Sequence, residues 1–137
     1  MARILLVDDE ASILSVLSTL LKAEGHEVVP VLGAEKAQEV IKSQKFDLMI
    51  SDIRMSPVDG MQLLRMIRKE KPDTAAIMIT AYGSVETAVE AMKEGAFDYV
   101  TKPFKVDELL ITVTRALEYR DAMAENVTLK AQLESKY

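Results

Sequence analysis

Five residues of the 137-residue chain have types and positions that could share one reaction: Asp8, Asp9, Asp52, Thr80 and Lys102. Each ends or directly follows a short apolar run. Leu48 to Ile50 has no polar residue and is too short for a helix, so it reads as a strand buried on both faces. An aspartate at its end, Asp52, then sits at the carboxyl edge of a parallel sheet, outside which ligands of open α/β sheets bind. Taken alone, such an aspartate reads first as a strand-ending or turn residue. Likewise, Asp8, Asp9 and Glu10 open a helix, where carboxylates are welcome as caps and dipole partners.

The chemistry appears when these residues are taken together. Two carboxylates about 4 Å apart repel by roughly 4 kcal/mol at an effective dielectric near 20, and a bound cation relieves that repulsion. Oxygen-only ligands, with no cysteine and only His26 as a histidine, suit Mg²⁺. Thr80 offers a hydroxyl donor and Lys102 a mobile ammonium. Carboxylate, divalent cation, hydroxyl and lysine describe a phosphoryl site, where the protein positions groups and neutralises charge on the equatorial oxygens. Asp52 is then the nucleophile, forming an aspartyl phosphate.

The elements that must position these residues follow from periodicity and breakers. Arg3 to Val7 is a first strand; Ala11 to Glu24 is a helix with a stripe at Ile13, Val16, Leu17 and Leu20, stopped by Gly25. His26 follows as a surface residue. A second strand spans about Glu27 to Leu32, a short helix Ala34 to about Lys42, and the third strand carries Asp52. The third helix runs from Gly60 to about Glu70 with Leu63, Leu64 and Ile67 inward; Pro72 breaks it before a fourth strand, Ala75 to Thr80. Val85, Ala88, Val89 and Met92 form the stripe of a fourth helix, capped by Ser84 and stopped by Gly95. Phe97 to Thr101 is the fifth strand, ended by Pro103. The methionines, including Met49, Met61, Met66, Met78 and Met92, read as core filler.

From Lys105 no glycine or proline interrupts the chain, so a fifth helix could run about 30 residues, or about 45 Å. That exceeds the roughly 35 Å breadth of a compact domain of this size, so its last turns project. Leu109, Leu110, Val113 and Leu117 can face the core; Tyr119, Ala122, Asn126, Leu129 and Leu133 form a short heptad seam. Five βα units predict a flavodoxin-like, doubly wound (βα)5 three-layer sandwich with right-handed crossovers and parallel strand order 2-1-3-4-5. In that order Asp8-Asp9 and Asp52 meet at the topological switch point.

Composition narrows the class further. The chain is 49% hydrophobic, carries a net charge of −5, and has pI near 5.0, which disfavours gripping nucleic acid or anionic membrane directly. No run of 18 apolar residues occurs, and a cytoplasmic location is expected.

At this point residues 2 to 120 resemble the receiver domain of bacterial two-component response regulators. The resemblance rests on Asp8-Asp9, on Asp52 followed by Met55 and Asp59-Gly60, on Thr80-Ala81, and on Tyr99-Val100-Thr101-Lys102-Pro103-Phe104. It implies that Asp52 accepts a phosphoryl group from a sensor histidine kinase and that Asp9, Asp52 and the Arg54 carbonyl bind Mg²⁺, Asp8 helping through water. It implies that Thr80 and Lys102 contact the phosphoryl oxygens, that Tyr99 is a switch aromatic, and that the Lys102-Pro103 bond is cis. Proline usually follows the methionine directly in the family; here Ser56 intervenes before Pro57, although the spacing to Asp59-Gly60 is kept. Arg54 and Tyr82 stand where the family tunes phosphate lifetime. Such a domain is a switch that catalyses only its own phosphorylation and dephosphorylation, not an enzyme that turns over other substrates.

The runs Ala81-Tyr82-Gly83-Ser84 and Gly95-Ala96-Phe97-Asp98-Tyr99, with Glu125-Asn126, look most like receivers of enhancer-binding activators, in which a helical linker leads to an AAA+ ATPase. Residues 121–137 are expected to be that linker, and no Gly-rich phosphate loop lies within the chain. Charged hydrogen bonds contribute roughly 1.5–3 kcal/mol and neutral ones about 1, less than the roughly 5.5 kcal/mol needed to invert a 1:99 equilibrium. The expectation is a partial shift completed by homodimerisation through the fourth helix, fifth strand and fifth helix, with the C-terminal helix. The alternative is a receiver-like scaffold that dimerises without phosphorylation. An FMN carrier is disfavoured because the loop after the first strand is acidic, and a haloacid-dehalogenase-type phosphatase because its two acids stand two positions apart.

Overall fold

The computed structural model describes residues 2–55, 59–81 and 85–136, the side chains of 81 and 124–136 excepted. The elements run β1 (Arg3–Asp8), α1 (Ala11–Ala23), β2 (Glu27–Leu32), α2 (Ala34–Ser43), β3 (Leu48–Asp52), α3 (Gly60–Glu70), β4 (Ala75–Ala81), α4 (Val85–Lys93), β5 (Asp98–Lys102) and α5 (Val106–Lys136). All strand pairs are parallel, in the order β2-β1-β3-β4-β5. The doubly wound fold expected from the alternation is the fold observed. β5 starts one residue later than Phe97, whose ring packs on Tyr119 at 5.3 Å.

The breakers act as the sequence requires. Gly25 (φ +92°) and Gly95 (φ +101°) take left-handed backbone that only glycine adopts readily. Beside them the N–H groups of His26 and Ala96 donate to the carbonyls of Leu21 and Ala91, closing the ends of α1 and α4 with Schellman motifs. Asp59 caps α3 in a reciprocal box with Gln62. Pro30 lies in β2, an edge strand. The flanking bonds from Glu27 and Gly33 to β1 show that odd-numbered residues face the ladder, so Pro30, which has no N–H, faces the open edge.

Two cores form, one on each face of the sheet. Leu5, Val7, Met49 and Met78 meet Ile41 of α2 and Leu63, Leu64 and Ile67 of α3. On the other face Ile4, Leu6, Ile50 and Ile77 meet Leu14, Leu17 and Leu21 of α1 and Leu109, Val113 and Ala116 of α5, with Leu110 and Leu117 partly buried.

Two stripes differ from expectation. α1 buries Leu14, Leu17, Ser18 and Leu21 and leaves Val16 56% exposed. Its two apolar series lie one residue apart, and the leucines, longer than Val16, reach the sheet. In α4 only Ala88 and Ala91 are buried; Val85, Val89 and Met92 are exposed, so Met92 is no core filler. In this setting the small alanines face the sheet, and Glu90 and Glu94 lie 3.5 Å from Arg65 of α3. Met49, Met61 and Met78 are buried and Met66 partly so. His26 is half-buried, its Nδ1 accepting from the Ala2 N–H at 3.3 Å, and burial lowers its pKa below 6.5. The Ser84 cap, the Ser56-Pro57 turn and Tyr82 lie outside the described residues, and the seam beyond Ala122 outside the described side chains.

The two kinds of apolar position separate by measurement. Leu64→Ala is expected to cost about 2–5 kcal/mol in urea unfolding, whereas Val89→Ser changes stability by no more than about 0.5 kcal/mol.

Candidate functional site

The site forms because parallel register aligns the strand ends. Val7 pairs with Ser51, bringing the next residues, Asp8 and Asp52, level; Asp52 pairs with Ile79, Thr80 with Thr101 and Ala81 with Lys102. Asp8, Asp52 and Thr80 are buried, at 1%, 7% and 1% exposure, while Asp9 lies exposed beside them.

Lys102 ties the group together. Its Nζ donates to Asp52 Oδ2 at 2.9 Å and to Asp8 Oδ2 at 3.3 Å, bridging both carboxylates. Burial opposes the ammonium, but the hydrogen bond and charge of Asp52, joined by Asp8, outweigh it and raise the Lys102 pKa. Burial raises the Asp8 pKa too; the Asp52 charge adds to that, against the Glu10 N–H, which donates to Oδ1 at 3.0 Å, and the Lys102 charge. Asp52 Oδ1 accepts from the Arg54 N–H at 3.2 Å.

Thr80 Oγ1 is buried with no hydrogen-bond partner among the described residues. Buried hydroxyls seldom go unpaired, and this one ends β4, the strand next to the one that carries Asp52. Asp8, Asp9 and Glu10 each place a carboxylate oxygen within 4.8 Å of the others. Glu10 was not among the expected ligands; its adjacency to Asp8-Asp9 was the available signal. A set of carboxylate oxygens without nitrogen or sulfur fits a hard divalent cation of the Mg²⁺ kind. Tyr99 sits on β5, 42% exposed, and the Lys102–Pro103 bond is cis.

One further residue supports the site. A Cβ on Gly60 would overlap the carbonyl oxygen of Asp52 and lie 2.8 Å from Ile53 Cα, while the Gly60 N–H donates to the Ile53 carbonyl at 2.8 Å. The start of α3 is thus pressed onto the backbone that carries Asp52, a fit open to glycine alone.

This fold, with its acidic strand ends bridged by lysine, is that of a response regulator receiver. The chain belongs to that family: the pattern described as the response regulator receiver domain matches residues 4–114. Among its relatives, the response regulator protein FleR of Pseudomonas aeruginosa is 46% identical over 114 residues, 83% of this chain and 24% of FleR. The regulatory protein AtoC of Escherichia coli is 42% identical over 123 residues, 90% of this chain and 27% of AtoC. NtrX from Brucella abortus, solved with ADP, superposes with a TM-score of 0.89 at 38% identity, covering 93% of this chain and 30% of NtrX. The beryllofluoride-activated NtrC4 receiver domain dimer gives 0.81 at 39% identity, covering 86% and 98%. The chain spans about a quarter of the length of the curated relatives it matches.

Two outcomes follow from the geometry. Because the Asp8 pKa is raised in the folded state, the folded protein holds its proton longer than the unfolded chain. Stability without divalent cations should therefore fall as pH rises from about 3.8 through the raised value, and Asp8→Asn should remove that slope in chemical unfolding. Gly60→Ala should destabilise the fold by about 1–3 kcal/mol in the same assay, by forcing the loop off Asp52.

Proposed function

We propose that this chain is a phosphorylation-dependent signalling switch in which Asp52 accepts a phosphoryl group from the phosphohistidine of a sensor histidine kinase. The observation that carries the reading is the bridge from Lys102 to Asp52 and Asp8, with a Thr80 hydroxyl on the neighbouring strand that is buried and unpaired among the described residues.

An Asp52 carboxylate oxygen attacks phosphorus; the new bond is O–P, and the bond broken is P–N of the donor imidazole, which leaves with the electron pair and takes up a proton. Lys102 neutralises charge on the equatorial oxygens and exchanges part of its hold on the carboxylates for a hold on the phosphoryl group. Thr80 gains the acceptor it lacks. Asp8, Asp9, Asp52 and the Arg54 carbonyl are the residues to hold Mg²⁺, which would supply positive charge between carboxylates and phosphoryl oxygens. The chain turns over no other substrate in this reading; it catalyses its own phosphorylation and dephosphorylation.

The elements of the output, α4, β5 and α5, carry exposed apolar residues: Val85, Val89 and Met92 of α4, Tyr99 of β5, and Val106 and Ile111 of α5. We infer that two copies pair through this face and the C-terminal helix once Thr80 and Tyr99 respond to the phosphoryl group. The NtrC4 receiver, a dimer when activated by beryllofluoride, supports this reading. Residues 1–120 then form the receiver and 121–137 a linker toward a downstream AAA+ domain of a longer, cytoplasmic activator. The coverage of about a quarter of FleR and AtoC supports that placement. Among the described residues, no helix is long and apolar enough to cross a membrane. Neither direct nucleic-acid contact nor a membrane partner belongs to this reading.

Incubation with acetyl phosphate and Mg²⁺ should add the mass of one phosphate to the wild type and none to Asp52→Asn or to the EDTA-treated protein. Light scattering on the same samples should show dimer enriched only in the adduct. An unmodified wild type that still dimerises would replace this reading with the scaffold.

A further inference from the structure

The opposite end of the sheet from Asp52 holds a second polar centre. There Ala75, the first residue of β4, pairs with Leu48, the first residue of β3. Two hollows of about 170 and 370 Å³ open at this end, and Arg68, Ala75 and Tyr119 stand in the walls of both. The smaller is continued by Asp73 and Arg120, the larger by Ala76, Ala96 and Phe97.

Arg68 is the charged group common to the two. Its Nη2 donates to the carbonyls of Pro72 and Thr74, and its stem lies beneath the turn at Gly95, where a Cβ would stand 2.8 Å from Cδ. The guanidinium is thus fixed from one side. Among the described residues no carboxylate pairs with it, Nη1 has no acceptor, and Nε is buried without one. Cations taken out of water normally have a partner, and burial pushes the Arg68 pKa down, Tyr119 and Asp73 working the other way. Asp73 shares the smaller hollow without forming an ion pair with Arg68. Arg120, the other cation there, is already bound to Asp47 and Asp121, each 3.3 Å away.

The remaining walls are apolar. Tyr119 tilts at 46° to Phe97 with the ring centres 5.3 Å apart, and at 53% exposure it leaves ring surface open. Alanines 75, 76 and 96 leave the space beside it unfilled.

We propose that these hollows form a binding site for a small aromatic carboxylate, with the carboxylate on the Arg68 guanidinium and the ring against Tyr119 and the alanine wall. A guanidinium fork matches a carboxylate, and an aromatic body adds ring-to-ring contact. A single negative charge suits the site better than phosphate does, because Asp73 stands in the wall and the chain carries a net charge of −5. The site is independent of the switch reading.

Titration of the unphosphorylated chain with benzoate, followed by amide nuclear magnetic resonance, tests it. The amides of residues 73–76, 95–97 and 119–120 should move saturably, while benzyl alcohol and inorganic phosphate should bind there at least about tenfold more weakly. Arg68→Met, which keeps a stem under Gly95, should weaken benzoate by about ten- to hundredfold, the scale of one charged hydrogen bond. Tyr119→Ala leaves the Arg68 hydrogen bonds in place and should weaken it by about three- to tenfold, so the test does not depend on a variant that has lost its bonds to the α3–β4 turn. No saturable movement up to about 50 mM benzoate, equal movement with benzyl alcohol or phosphate, or unchanged affinity in either variant would overturn the proposal.

Discussion

Asp8 and Asp52 are buried side by side at the carboxyl end of the sheet, and they can share that place because Lys102 lies between them. Each partner belongs to a different strand, and the bonds that Lys102 makes reach back 94 residues to Asp8 and 50 to Asp52. The parallel register is what brings them level, so the site's electrostatics depend on every βα crossover being made correctly. Conversely, unpaired burial of either carboxylate would cost more than a surface ion pair returns. The arrangement is under tension: Lys102 stays charged because two acids hold it, and Asp8 resists ionisation although a cation is near. Any group that brings both positive charge and acceptor oxygens can redistribute these bonds without unfolding the core.

Most of the fold was legible because its punctuation is strong. Gly25, Gly95, Pro72 and Pro103 end their elements by backbone sterics, which tertiary packing cannot override, and the bounds of β2, β3 and α3 lie where those signals and the apolar runs put them. The inward face of α3 was readable because its apolar residues occupy one stripe. In α1 two stripes compete a residue apart, and the choice between them depends on side-chain reach to the sheet. In α4 the obvious stripe is not the buried one: Ala88 and Ala91 face inward, and the helix meets Arg65 more than twenty residues earlier, a contact that local periodicity does not contain.

The site was legible in its residue types and less so in its couplings. That Asp8, Asp52, Thr80 and Lys102 would end neighbouring strands followed from counting βα units. That the lysine would bridge both acids while the threonine hydroxyl stood unpaired needed coordinates, since it depends on a few tenths of an ångström at three strand ends. Gly60 belongs to the same class: a glycine at a helix start is common, and only the approach of the Asp52 carbonyl explains it here.

The placement of Pro30 reaches beyond the single molecule. An open parallel edge is a template on which further strands can add, and such growth is cooperative and hard to reverse. With its missing N–H turned outward, Pro30 interrupts that template midway along β2. Copies of this chain are thereby steered away from backbone-to-backbone stacking and left to meet through side chains on helices. Contacts of that kind come apart readily, so crowding in a cell need not turn a temporary encounter into a deposit.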